Sequence, residues 1–339
     1  MTPSSRLGGF KILKDVARIS LVWPVQNREI PVRLSRILSR SGINLDFLTL
    51  GRDEKTWTLN TVIQSGVAQE TAGLVEKHFG GITRSVEEAA IISIFPHKSN
   101  PQVTASLLKV FESQGVMPDA VANSASALSA VLNRVLAKMT DALFEPFRFN
   151  AYRTPSDWKM AQKGKEQLYK EVVASYQERR PKVYALYWQE GQELIRLKIC
   201  DDSLEAIEKA FKRLSALPIQ LTFLITGPAG NGREATMHLC LPLSKRKAYE
   251  SVLVALPRGV LLDRQVPVAH FSMNGPHFGD RYGIASDLLY ALQAADTDLM
   301  GLSCSIASIT GVLPEDQIQT ALTAIQGCFE IPATIEISL

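Results

Sequence analysis

Five histidines, four cysteines and one glycine-rich loop are the residues of this 339-residue chain best suited to chemistry, and their spacing completes no reactive set. Gly227-Pro-Ala-Gly-Asn-Gly-Arg233 has the look of a phosphate loop. It lacks the Gly-Lys-Ser/Thr ending and leads into a strand pattern rather than a helix, so it reads as a hairpin turn. His78, His97, His238, His270 and His277 include no pair at metal spacing on one helix, and His238 and His270 lie inside predicted strands. Cys200, Cys240, Cys304 and Cys328 form no C-x-x-C pair and read as reduced, buried small residues. Ser286 is helical and belongs to no G-x-S-x-G elbow. No nucleophile–base pair falls within one predicted site. The best single candidate for ligand contacts is the polar loop Asn274-Gly-Pro-His-Phe-Gly-Asp-Arg-Tyr282 before Gly283.

The bulk numbers narrow the class. A net charge of +3 leaves no nucleic-acid footprint. No apolar run approaches the ~20 residues that span a bilayer, and the first residues carry no apolar signal core, so a cytoplasmic protein without membrane contact is expected. No cofactor and no metal is expected.

The elements that must position these residues repeat. Val16-Ala-Arg-Ile-Ser-Leu-Val22 leads to Ser41-Gly-Ile-Asn-Leu-Asp46, and Ala89-Ala-Ile-Ile-Ser-Ile-Phe95 leads to Gln114-Gly-Val-Met-Pro-Asp119. A weaker copy runs from Val268 to Asp298. Each reads as β-α-β-β-α-β, the split βαβ or ferredoxin-like order, in an α+β fold. The first copy has a strand over 17–23, a helix over 29–41, a hairpin over 44–64, a helix over 69–79 and a strand over 82–86. The second runs from a strand at 90–95 to a strand at 146–150. In the third, 183–188 and 194–199 are strands around Glu190-Gly191, and Asp202 or Ser203 caps a helix reaching Leu217. The fourth has a strand over 267–273, a helix over 282–294 and a hairpin over 297–312. The units are 1–88, 89–150, 183–265 and 266–339, four in tandem as two pairs, with a linker helix over 151–182 dividing the halves.

Residues 1–150 resemble the regulatory region of aspartokinases, a tandem pair of ACT domains. Gly8 to Leu21 looks like its opening strands, Ser41-Gly-Ile-Asn-Leu-Asp-Phe-Leu48 like its G-I-N-h-D-h-h turn, and Ala90-Ile-Ile-Ser-Ile-Phe95 like its V-S-I-V strand. Asn123 to Leu132 and Ala142-Leu-Phe-Glu-Pro-Phe147 stand in place of its later motifs. In the second half the resemblance is confined to Gly283–Leu292 and Gly301–Ile309. His78-Phe-Gly-Gly-Ile-Thr83 only superficially matches the start of a kinase domain, so the kinase is expected to be absent and the chain not to be an enzyme.

The resemblance implies an amino acid bound between units. Its carboxylate would meet free N–H groups at a helix start, and a glycine there would allow close approach. Arg28 and Glu29 replace the family's Pro-Gly in the first unit. Leu50 and Gly51 replace a frequent Gln-Asn, and Gln102 replaces the Gly in the second unit. Only Gly283 is kept. The candidate ligand residues are therefore Asn274, His277, Asp280, Arg281, Gly283, Ile284 and Asp298 in the last unit, with His97, Asn100, Asn27 and Asp46 in the first two. The expected function is a non-catalytic, amino-acid-binding regulatory or sensor protein. The alternative is a ligand-free ACT scaffold for protein–protein contact. ACT sheets have open edges that seek pairing, so a homodimer is expected, with a biosynthetic enzyme as partner.

Overall fold

A run of alternating apolar residues from Gly9 to Pro24 forms one 16-residue strand, β2 (Gly9–Pro24), preceded by β1 (Ser5–Leu7). The computed structural model describes residues 5–96, 98–124, 126–133, 137–162, 180–228, 234–275, 278, 281–305 and 308–337. After β2 come α1 (Ile30–Arg40), β3 (Phe47–Arg52), β4 (Thr56–Gln64), α2 (Ala68–Phe79) and β5 (Thr83–Phe95). Next are α3 (Pro101–Ser113), β6 (Ala120–Asn123), β7 (Leu128–Leu132), α4 (Ala137–Ala142), β8 (Phe147–Phe149) and α5 (Pro155–Gln162). The second half holds β9 (Ala185–Ile199), α6 (Leu204–Leu214), β10 (Phe223–Pro228), β11 (Ala235–Pro242), α7 (Arg246–Val254) and β12 (Leu261–Asn274). It closes with α8 (Ile284–Ala294), β13 (Gly301–Ser305), β14 (Ser308–Pro314), α9 (Ile318–Cys328) and β15 (Thr334–Glu336). The fold is α+β around one large sheet.

The expected break around Glu190-Gly191 is absent because the chain bulges instead. The strands read at 183–188 and 194–199 are one strand, β9. Gly191, at φ +66°, sits at the break without reversing the chain. Leu186 faces one core, whereas Ile195, Leu197 and Ile199 face another. The outward face thus passes from even to odd positions, as a one-residue bulge demands. β2 does the same: Phe10 faces one core and Ala17, Ile19 and Leu21 the other, with a register shift between Leu13 and Val16. The strands read at 82–86 and 90–95 are likewise the single β5, so the boundary read between residues 88 and 89 lies inside a strand. Ser203 is the N-cap of α6, but its side chain makes no cap bond there.

The order of pairing differs from two successive halves. One core joins α1, α2, β2, β3 and β4 to α8, α9 and β12–β14, and a second joins α3, β6 and β7 to α6, α7 and β9–β11. The first stretch therefore packs on the last, and the second on the third. β3 pairs antiparallel with β13, and β6 meets β10 at Ala122 and Ile225. Because β9 also pairs with β11, twelve strands close into a ring, β2-β4-β3-β13-β14-β12-β9-β11-β10-β6-β7-β5. Closure pairs the edges of these twelve strands, the kind of edge on which the homodimer expectation rested, and leaves β15 and the two-stranded β1–β8 sheet outside the ring. Helices cover the ring outside, and its inside is a third core of Val16, Phe47, Val62, Ile91, Leu194, Phe223, Ile225 and neighbours.

Of the expected linker helix, α5 is seen. Its Trp158 is buried and stacks on Phe10 with ring centroids 4.9 Å apart. Residues 163–179 of that span lie outside the described residues. No described helix is long and apolar enough to cross a membrane.

Candidate functional site

The site is built where α1 crosses α8. Pro31 sits in the first turn of α1, Leu34 and Leu38 bury its inner face, and the helix is capped at Ser41 ahead of Gly42 at φ +67°. On α8, Ile284, Leu288 and Leu292 face the same core. The N-cap of α8 is Gly283 at φ +95°, a left-handed conformation that disfavours a side chain. A Cβ at Gly283 would lie 2.8 Å from Ser39 Oγ, so the glycine also sets how closely the two helices approach.

A cavity of about 30 Å³ opens between them, lined among others by Ser39, Asn44, Arg281, Gly283, Ser286 and Ser305. Two features of it are chemical. Among the described residues no side chain caps α8, and the first-turn N–H groups, which no helical carbonyl can satisfy, point to this end. Ser305 is 5% exposed, and its Oγ is buried without a hydrogen-bond partner among the described residues. Donors and an orphan hydroxyl thus converge between two apolar walls, Leu38 and Ile43 on one side and Ile284 and Ile309 on the other. Burial pushes the Asp287 carboxyl up, with Arg281 opposing it, and burial pushes the Cys304 thiol well above its ordinary range. Cys304 is therefore a neutral wall, not a nucleophile.

The cavity has room for about one water. A larger hollow of about 430 Å³ lies along Asp287, Tyr290, Ala291, Ala324 and Cys328. It offers mainly small apolar side chains and one carboxylate, so it lacks the convergent donors that fix a polar ligand.

Of the residues read as ligand contacts, Arg281, Gly283 and Ile284 meet at the small cavity. Asn274 ends β12, paired with Ala185 and Ser308, and its Oδ1 is buried without a partner among the described residues. His277, Asp280 and His97 lie outside the described residues. Asp298 is at the opposite end of the α1–α8 interface, bound to Arg52. Asn100 is instead the N-cap of α3, accepting from Gln102 N at 2.9 Å. Asn27 is exposed, its carbonyl taking the Trp23 Nε1 hydrogen at 3.2 Å. Asp46 donates its N–H to Val62 O at 2.9 Å, and its carboxylate accepts from Asn44 Nδ2 at 3.5 Å. Ser39, Asn44 and Ser305 were missed. Asn44 and Ser305 stand in the two turn and strand motifs that carry the resemblance, yet only their contact across the chain makes them neighbours.

At the start of α3 the corresponding space is filled. Gln102 Oε1 accepts from Ser215 Oγ at 3.0 Å, and Leu221 N donates to Ser99 O at 2.7 Å. No group of three or more His, Cys, Asp or Glu suited to a metal ion occurs among the described residues.

No protein-family model matches the sequence, and no curated protein matches it. The fold does occur in solved structures. The aspartate kinase from Synechocystis superposes with a TM-score of 0.75 over 98% of this chain, at 15% identity. This chain spans 57% of that enzyme's length. The regulatory subunit of aspartate kinase from Thermus flavus matches 44% of this chain at 18% identity with a TM-score of 0.38, and that from Thermus thermophilus matches 37% at 20% with 0.34. At these identities the likeness is one of fold. It nevertheless corrects three expectations. The resemblance is not confined to residues 1–150 and the last stretch of a regulatory region, because an aspartate kinase matches nearly the whole chain. The expectations of a non-catalytic sensor or scaffold and of a protein that is not an enzyme are not supported, because the protein matched over that length is a catalytic one.

Proposed function

We propose that this chain works as part of an aspartate-kinase-type enzyme and that its α1–α8 cavity is where a free amino acid acts on that enzyme. In this reading residues 1–88, 89–150, 183–265 and 266–339 are four ACT-like units, the first two sharing the continuous strand β5 and the second and third joined by 151–182. The observation that carries the reading is the pairing of an uncapped α8 N-terminus with the orphan Ser305 hydroxyl in one cavity. An α-carboxylate suits the free N–H groups. Ser305 offers an oxygen to the ammonium group, and Leu38, Ile43 and Ile309 offer an apolar wall to the side chain.

The cavity's size adds a mechanism. A space for one water must open to admit an amino acid, and opening it parts Ser39 from Gly283. Those residues belong to the first and last stretches of the chain, which share one core. Binding therefore shifts the packing of two distant stretches together, which is what coupling to another site requires.

The test is thermal unfolding of the full chain with each of the twenty amino acids, run beside an assay of aspartate-dependent ATP turnover. One or a few amino acids are expected to raise the midpoint, and ATP turnover is expected to respond to the same ones. Stabilisation without any turnover would overturn the enzyme reading, and turnover indifferent to every amino acid would overturn the site.

A further inference from the structure

The α1–α8 interface has two ends related by a local two-fold. β3 and β13 pair from Phe47 with Ser305 to Gly51 with Gly301, centred on Thr49 and Ser303. Asn44 stands three residues before β3, and Asp298 stands three residues before β13. Asn44 lines the cavity at one end, so Asp298 is its counterpart at the other. There the arrangement is different. Arg52 Nη1 donates to Asp298 Oδ1 at 2.6 Å, and Arg52 Nη2 bonds Oδ2, a fork-to-fork pair. Arg52 is nearly buried and lies with its guanidinium carbon 5.6 Å from the centre of the Trp57 ring. Arg28, one residue ahead of the α1 N-cap, adds a second guanidinium 3.5 Å from Oδ1. The Asp298 N–H is anchored on Gln317 Oε1 at 2.6 Å.

Two cations thus surround one carboxylate at the place that matches a cavity on the other side. We propose that this end is a carboxylate-binding site which the protein fills with its own Asp298. The chemical class it takes is a small monocarboxylate. Asp298 is a tethered occupant, and the interface keeps one open end and one closed end. The proposal does not depend on which amino acid, if any, the open end binds.

Size-matched rescue tests it. Asp298→Gly removes a group the size of acetate, and Asp298→Ala removes one the size of formate. Both variants should unfold at lower temperature than the parent in chloride. Acetate should restore at least half of the loss in the glycine variant, saturably and at constant ionic strength. Formate should do so in the alanine variant, and the parent should respond to neither. Asp298→Asn keeps the volume and should gain from neither anion. Adding Arg52→Ala should abolish each rescue. Equal gains for parent and variants, gains in the asparagine variant, or rescue that survives Arg52→Ala would overturn the proposal. If a variant fails to fold in chloride, its refolding yield in acetate or formate against chloride gives the same readout, and no gain there overturns it too.

Discussion

Arg18 on β2 and Arg196 on β9 hold corresponding places in the two halves of the ring. Arg18 pairs in register with Glu87 on β5 and bonds its Oε2 at 3.1 Å. Arg196 pairs in register with Asp263 on β12 and bonds its Oδ1 at 2.6 Å. Each is a buried guanidinium tying two of the longest strands together, so the duplication extends to charged groups inside the ring. The two differ in support. Arg18 also reaches Asp119 at 3.5 Å and Asn60 at 3.2 Å, while the second bond of Arg196 goes to the neutral Gln265 at 3.1 Å.

That difference predicts unequal costs. Asp263→Ala leaves a guanidinium that is 1% exposed without a counter-ion, and it should lower stability by about 3 kcal/mol. Glu87→Ala leaves Arg18 with Asp119, and Glu87 is itself 44% exposed, so about 1 kcal/mol or less is expected. Urea denaturation of both variants measures the two costs.

The two sides of the ring approach closely where β10 faces β4 across its interior. A Cβ at Gly227 would lie 2.2 Å from Thr58 Oγ1. Gly227→Ala must push the strands apart and should cost about 1–3 kcal/mol. Adding Thr58→Ala removes that oxygen and should return part of the loss. Unfolding midpoints of the two single variants and the double show whether the effects are non-additive, as contact predicts.

Acid should weaken the fold through its buried histidines. Burial and the nearby Arg196 hold His238 down at about 3, against the pull of Asp53, and burial alone holds His270 at about 4. Both fold as neutral rings. As pH falls below the unfolded value near 6.5, the unfolded chain takes up protons that the folded chain refuses until about 4 and about 3. Stability is complete above 6.5 and is lost through that window, at about 1.4 kcal/mol for each tenfold difference in proton affinity. His238→Gln should flatten the decline in unfolding midpoint measured between pH 6.5 and 4.

Much of the architecture was legible in the sequence because it is local. The helix over 29–41 shows in Ile30, Leu34 and Leu38, and the α8 start shows in Gly283. The crossed pairing was not legible. Nothing in Phe47–Arg52 announces β13 as its neighbour, since register across 250 residues is set by packing rather than by local pattern. The long strands escaped for a different reason. A bulge flips the inward face, so β9 imitates two strands about Gly191. The site shared both problems. Arg281 and Gly283 could be read from the loop before α8, whereas Ser39, Asn44 and Ser305 come together only once the first and last stretches share a core.

Calorimetric titration of the full chain with a stabilising amino acid tests the central claim most directly. One ligand should bind per chain. Ser305→Ala removes an unpartnered buried hydroxyl, so it should leave the unliganded unfolding midpoint unchanged or higher and weaken binding about tenfold, or about 1.4 kcal/mol. Gly283→Val should abolish the heat. No heat with any of the twenty amino acids, or an affinity indifferent to Ser305→Ala and Gly283→Val, would contradict the account.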